Sequence, residues 1–273
     1  MKLKSNANLN MSMSTDGTVR KASSANARFR GAGLLLAACV LSAFAWAHSA
    51  IEPAPRTDQG WKDRQKALNE RAAEAGKAAQ VIFIGDSITQ GWEGEGKDVW
   101  ARYYAPRKAV NLGIGGDRTQ HVLWRLDNGN LEGLAPKAAV LMIGTNNSNG
   151  EDNTSEQIVD GVAAIVAKLR AKLPDTQILL IAIFPRAENF GTQRAKLAQI
   201  NQVLKKLADG KNVHWVDFGE QFLTMEGLIP RELMPDYLHL TSKGYQIWAD
   251  AIEGKLSSIL GDTPVKPAGS SGQ

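Results

Sequence analysis

The segment Val81-Ile82-Phe83-Ile84-Gly85-Asp86-Ser87-Ile88-Thr89 decides the fold class. Its first four residues are apolar without alternation, the pattern of a strand buried on both faces of a parallel sheet. Gly85 lets the backbone bend sharply, and Ser87 then stands at a strand-to-helix turn. Comparable apolar runs recur at residues 109–112, 138–143, 178–184 and 213–216. Helical periodicity fills the gaps, most clearly in Ile158, Val162, Ile165, Val166 and Leu169, which share one face and are stopped by Pro174. Five strand signals with helices between them predict a doubly wound, three-layer α/β domain, whose chemistry belongs at the carboxyl ends of the strands.

Outside the strand runs, residues 61–76 are rich in Ala, Glu, Arg and Lys and favour a helix. Thr241 or Ser242 can cap a closing helix with an inner face of Tyr245, Trp248, Ala249, Ile252, Leu256 and Ile259. Residues 264–273 are rich in Pro, Gly and Ser without periodicity and read as a loose tail. The expected organisation is an export segment (1–47), a helical extension (48–80), the α/β domain (81–261) and a flexible tail (262–273).

The export reading rests on Arg20, Lys21, Arg28 and Arg30, which precede an uncharged, largely apolar run over 31–47. Ala45-Trp46-Ala47 offers small residues where a signal peptidase inspects them, which predicts cleavage before His48 and a periplasmic or secreted protein. A retained anchor and lipidation at Cys39 are the alternatives. The run is short for a membrane span, and the residues after Cys39 stay apolar where a polar tether is expected. Residues 1–47 hold six of the 32 Lys and Arg and one of the 28 Asp and Glu, leaving 26 positive against 27 negative charges. The remainder has no basic run, which argues against a nucleic-acid partner. Cys39 is the chain's one cysteine, so the segment from His48 onward can form no disulfide.

Ser87 needs a base to act as a nucleophile. Alone, Gly85–Thr89 fits a plain serine helix cap equally well. From His48 onward there are four histidines: His48, His121, His214 and His239. His214 lies inside an apolar strand and reads as packed or edge-exposed. His121 follows Gly116-Asp117 by one helical turn and reads as a surface or helix-packing residue, with a place on the substrate rim as the alternative. His239, in Asp236-Tyr237-Leu238-His239-Leu240-Thr241, falls beyond the last strand with a carboxylate three residues earlier. It can take the Ser87 proton while Asp236 fixes its tautomer. Asp217 is the rival carboxylate and reads as structural. Two further strand ends offer donors for an oxyanion: the backbone of Gly116 in Asn111-Leu112-Gly113-Ile114-Gly115-Gly116-Asp117, and the side-chain amide of Asn146 in Ile143-Gly144-Thr145-Asn146-Asn147. No dinucleotide or Walker fingerprint accompanies the glycines.

Ser87, Gly116, Asn146 and His239 match the residues for which the SGNH (GDSL-type) hydrolases are named, and the chain resembles that family over roughly residues 81–260. Within it, Gly85-Asp86-Ser87, Gly113-Ile114-Gly115-Gly116-Asp117, His121-Val122-Leu123-Trp124-Arg125-Leu126, Gly144-Thr145-Asn146-Asn147 and Leu238-His239-Leu240-Thr241 are most similar to the catalytic subunits of platelet-activating factor acetylhydrolase. The resemblance implies a flavodoxin-like α/β/α fold with a five-stranded parallel sheet, no metal or organic cofactor, and an acyl-serine intermediate hydrolysed by water. It assigns the oxyanion donors as the N–H groups of Ser87 and Gly116 with the Asn146 side chain. The leader and the helical extension depart from that acetylhydrolase, so its substrate is not carried over. The expected activity is hydrolysis of esters with a short acyl group, on a small-molecule, glycan or lipid ester. A thioesterase or lysophospholipase with the same triad is the alternative, and a noncatalytic envelope binding protein is a third. The sequence leaves the oligomeric state open, a dimer included.

Overall fold

The computed structural model describes residues 47–266. The cleavage signal before residue 47, Cys39 and the last seven residues of the tail lie outside the described residues. In chain order the elements are α1 (Gln59–Ala75), β1 (Val81–Gly85), α2 (Ser87–Gln90), α3 (Lys97–Tyr103), β2 (Val110–Gly113), α4 (Thr119–Asp127), β3 (Ala138–Met142), α5 (Ser155–Lys172), β4 (Gln177–Ile181), α6 (Thr192–Leu204), β5 (Val213–Val216) and α7 (Ser242–Leu260). The strands form one parallel sheet in the order β2-β1-β3-β4-β5, the flavodoxin-like order. The register aligns Gly85 with Gly113 on one side and with Met142 on the other. Three neighbouring strands therefore end level, and the loops that follow them open onto one crevice.

Alternate residues of each strand feed two cores. On one face Ile82, Ile84, Leu112, Leu141 and Leu180 pack with Val122 and Leu126 of α4, Ile158, Val162 and Ile165 of α5, and Leu197 and Ile200 of α6; Trp61, Leu68 and Ala72 of α1 join the same core. On the other, Val81, Phe83, Val140 and Leu179 pack with α3 and α7. That second core holds an aromatic cluster: Phe83–Tyr104 centroids stand 4.7 Å apart, Trp92–Tyr245 4.5 Å and Trp92–Trp248 5.3 Å. The Tyr245 hydroxyl donates to the Ile88 carbonyl at 2.7 Å, which ties α7 to the turn that carries Ser87.

Three expectations shift at the edges. The fourth strand leaves the ladder after Ile181 rather than at Phe184, because the Asn201 side chain satisfies both the N–H and the C=O of Ile183 (3.0 and 2.9 Å) where a strand would have done so. The helix after Ser87 has only four residues, so the turn offers free N–H groups but little macrodipole. Residues 262–266 are held, not loose: Asp262 accepts from Arg107 Nε at 2.8 Å, and the Val265 N–H donates to Glu253 Oε1 at 2.6 Å.

Trp248 is fully buried against four aromatic neighbours, Phe83, Trp92, Phe184 and Tyr245. Trp248→Ala should destabilise the protein by about 3–5 kcal/mol, measured by urea unfolding, since a buried indole leaves a cavity that its neighbours cannot fill.

Candidate active site

The structure brings Ser87, His239 and Asp236 into one hydrogen-bonded chain. Ser87 Oγ lies 2.9 Å from His239 Nε2, and His239 Nδ1 lies 2.6 Å from Asp236 Oδ2. Asp236 Oδ1 meanwhile accepts the backbone N–H groups of Leu238 (3.1 Å) and His239 (2.8 Å), so the carboxylate is locked into the loop whose histidine it orients. Burial tends to raise the Asp236 carboxyl, but these bonds from His239 and Leu238 outweigh it and hold the group below the usual carboxylate range. Tyr237, inside this loop, has φ +60°, a left-handed conformation that costs a non-glycine residue energy. Its carbonyl is pinned by the N–H of Ala187, itself at φ +66°.

The loops that follow β2 and β3 meet beside Ser87. Gly85 cannot be larger: a Cβ there would meet Thr89 Oγ1 at 2.1 Å and the Met142 carbonyl at 2.4 Å. Gly116 is exposed with φ +77°, a conformation that favours glycine. Asn146 Nδ2 donates one hydrogen to the Asp117 carbonyl at 3.0 Å, which fixes the amide and leaves its second hydrogen for a ligand. Asp117 is fully buried, accepting from Trp61 Nε1 and from Arg125 Nε, each at 2.7 Å.

The remaining sequence candidates fall elsewhere. His214 is hydrogen-bonded to Gln177 at 2.7 Å, on the edge strand at the amino end of β4. His121 Nδ1 accepts the Arg118 N–H at 3.0 Å and caps α4. Burial, with Arg56, Arg118 and Arg125 nearby, pushes His121 down to about 4 and keeps it neutral. Asp217 turns back to accept the Gly219 N–H at 3.1 Å. Asp86 is what the sequence reading missed. It is fully buried beside Ser87; Oδ1 accepts the Ile88 N–H at 3.0 Å, while Oδ2 has no partner. Desolvation raises its carboxyl to about 7, with the bond from Ile88 opposing. Nothing in the pentapeptide foretells this, because burial of the carboxyl depends on the sheet and on α7.

A cavity of ≈ 200 Å³ is lined by Arg56, Trp61, Arg64, Gln90, Ile114 and Gly115, and none of Ser87, Asp236 and His239 lines it. A more apolar groove of ≈ 270 Å³, lined by Ile183, Pro185, Phe190, Leu197 and Leu223, opens beyond β4 and β5, and no triad residue lines it. Among the described residues no cluster of His, Cys, Asp and Glu could hold a metal ion, and no helix is long and apolar enough to cross a membrane.

This arrangement meets its counterpart among known proteins. The model of the GDSL-like lipase/acylhydrolase family matches residues 83–247, a span that contains Ser87, Gly116, Asn146, Asp236 and His239. The chain belongs to this family. It is 38% identical over 189 residues to the alpha2 subunit of platelet-activating factor acetylhydrolase IB from Rattus norvegicus, covering 69% of this chain and 80% of that one. The human alpha1 subunit is 36% identical over 214 residues, 77% and 90% of the two chains. Among solved structures, a GDSL-like lipase from Bacteroides thetaiotaomicron superposes with a TM-score of 0.60 at 20% identity, over 72% of this chain and 98% of that one. Axe2, an acetylxylan esterase from Geobacillus stearothermophilus, superposes with a TM-score of 0.54 at 21% identity, over 70% and 98%. At such identities these structures speak for the fold, and the family hydrolase shares it.

Asp86 gives the hydrolase a stability signature. Its carboxyl titrates at about 7 when folded against 3.8 as a free group, so the folded state holds the extra proton between those values and stability falls as pH rises through that window. Relative to Asp86→Asn, which keeps the bond from Ile88 and cannot ionise, the wild type should lose about 1.4 kcal/mol per pH unit between roughly pH 4 and 7 in urea unfolding. Parallel curves for the two proteins would show that Asp86 stays ionised.

Proposed function

We propose that this hydrolase is a serine esterase that cleaves carboxylic esters with a short acyl group through an acyl-Ser87 intermediate. The observation that carries the reading is the continuous Ser87–His239–Asp236 chain, with links of 2.9 and 2.6 Å. His239 Nε2 takes the Ser87 proton as Oγ attacks the ester carbonyl; Asp236 holds the imidazole in the tautomer that leaves Nε2 free and stabilises the imidazolium. The oxyanion of the tetrahedral intermediate falls to the N–H groups of Ser87 and Gly116 and to the second hydrogen of Asn146 Nδ2. Collapse expels the alcohol with the proton from His239, and water activated by the same imidazole then releases the acid and frees Ser87.

The short-acyl reading is supported by the names of relatives and neighbours: platelet-activating factor acetylhydrolase and acetylxylan esterase are both deacetylating enzymes by name. Acetylated polysaccharide and lysolipid-like esters are the substrate classes we favour, and the basic, apolar character of residues 1–47 supports an exported enzyme. One observation favours a lysophospholipase as the second reading. The apolar groove beyond β4 and β5 is bordered by Phe190, which with Met225 and Leu228 is one of the few large apolar side chains exposed to solvent.

Rates on p-nitrophenyl acetate, butyrate and octanoate decide between them. The short-acyl reading expects turnover to fall with chain length and to vanish in Ser87→Ala; preference for octanoate would transfer the assignment to the second reading. Asn146→Ala should lower kcat on the order of 10² to 10³-fold. A loss below about threefold would remove Asn146 from the set of oxyanion donors.

A further inference from the structure

Three arginines ahead of the first strand converge on one strip of backbone. Strand β2 is an edge of the sheet, so the carbonyls on its outer side have no strand to pair with. Arg71 Nη1 donates to the Asn111 carbonyl at 3.0 Å, Arg64 Nη2 and Nε donate to the Gly113 carbonyl at 3.0 and 3.2 Å, and Arg56 Nη1 donates to the Gly115 carbonyl at 2.6 Å. Residues two apart in an extended chain present their carbonyls to the same side, so the series runs off the end of β2 into the loop that carries Gly116. Arg64 and Arg71, seven apart on one face of α1, also grip Glu93 at 2.7 and 2.5 Å, just beyond the turn that carries Ser87.

The last bond of the series has chemical weight. The Gly115 carbonyl and the Gly116 N–H are the two ends of one planar peptide unit. A guanidinium on the oxygen fixes the plane, so it fixes where the N–H points, and it draws electron density from the nitrogen, which makes the hydrogen a stronger donor. The preceding N–H, that of Gly115, is fixed as well, by Gln90 Oε1 at 2.7 Å from within the nucleophile's own helical turn. Arg56 is in turn oriented by Asp58 Oδ2 at 2.9 Å, and Asp58 is the N-cap of α1. The loop is thus held from both sides, and the outer side belongs to a segment that precedes the matched family region.

We propose that Arg56 is a positioning residue of the oxyanion hole, aiming and polarising the Gly116 N–H through the Gly115–Gly116 peptide, so that the N-terminal segment is a working part of the active site. This rests on the serine-esterase reading above. Arg56 does not touch the ester; its effect is confined to the step in which negative charge develops on the carbonyl oxygen, and it belongs in kcat rather than in KM.

The test measures kcat and KM on p-nitrophenyl acetate for the full chain and for Arg56→Met, Arg56→Lys, Asp58→Asn and Ser87→Ala, with thermal unfolding of each. Arg56→Met keeps the aliphatic stem and should lower kcat on the order of 10- to 100-fold with KM nearly constant. Arg56→Lys should recover part of the loss, since an ammonium reaches a carbonyl without the fork. Asp58→Asn keeps the helix cap but frees the guanidinium, and should show a smaller loss of kcat in the same direction. If Arg56→Met does not fold, the lysine and asparagine variants carry the test. A kcat within about twofold of wild type in the folded variants, or a loss that resides in KM, overturns the proposal. Turnover that survives Ser87→Ala overturns the esterase reading itself, a result distinguishable from either.

Discussion

The buried pair of Arg125 and Asp117 is the constraint on which the rest of the site depends. Both side chains are fully buried, with Nε and Oδ2 2.7 Å apart. The same guanidinium donates to the Leu112 carbonyl at 2.9 Å, to the Gly85 carbonyl at 3.3 Å and to Asn130 Oδ1. One cation therefore joins the end of β1, two residues before Ser87, to the end of β2 and to the residue after Gly116. A buried ion pair adds little net stability, because desolvation offsets most of its attraction, but it heavily penalises any arrangement that separates its partners. Its effect is geometric: Ser87 and Gly116 cannot drift apart without stranding a charge in the core.

The loop that carries Asp236 and His239 is held on a different principle. Asp236 and His239 are exposed, and their placement comes from a closed local circuit in which one carboxylate takes two backbone N–H groups and the imidazole. The left-handed Tyr237 makes this turn tight enough to bring Asp236 under His239, and its cost is offset by the bond from Ala187 and by α7 behind it. Tyr245 of α7, bonded to the Ile88 carbonyl, carries the constraint across to the nucleophile's turn. Rigid connections thus run to Ser87 from both sides of the sheet, while Asp236 and His239 stay exposed to solvent.

The fold was legible in the sequence because its strands are apolar on both faces and its helices amphipathic; 81–84 and 213–216 could be placed within a residue by that pattern alone. The fourth strand was read three residues too long, because nothing local reveals that Asn201 takes the backbone of Ile183 from a distant helix. The meeting of Ser87, Asp236 and His239 was legible because Ser87 follows β1 and the other two lie in the loop that leads into α7, where a doubly wound sheet gathers its loops. The arginines were not. Arg64 and Arg71 fall in the segment read only as a helix and Arg56 precedes it, and no spacing rule announces that carbonyls 111, 113 and 115 lie beyond them. Asp86 escaped for the same reason: its proton depends on what covers it.

On the proposed mechanism Ser87 forms a covalent intermediate with help from His239. The most direct measurement is intact and peptide mass spectrometry after brief reaction with an alkyl phosphonofluoridate, comparing wild type with His239→Ala. The expected result is one phosphonyl group per chain, on the peptide that contains Ser87, formed much more slowly in the variant. Labelling at another residue, or equal rates in the two proteins, would contradict it.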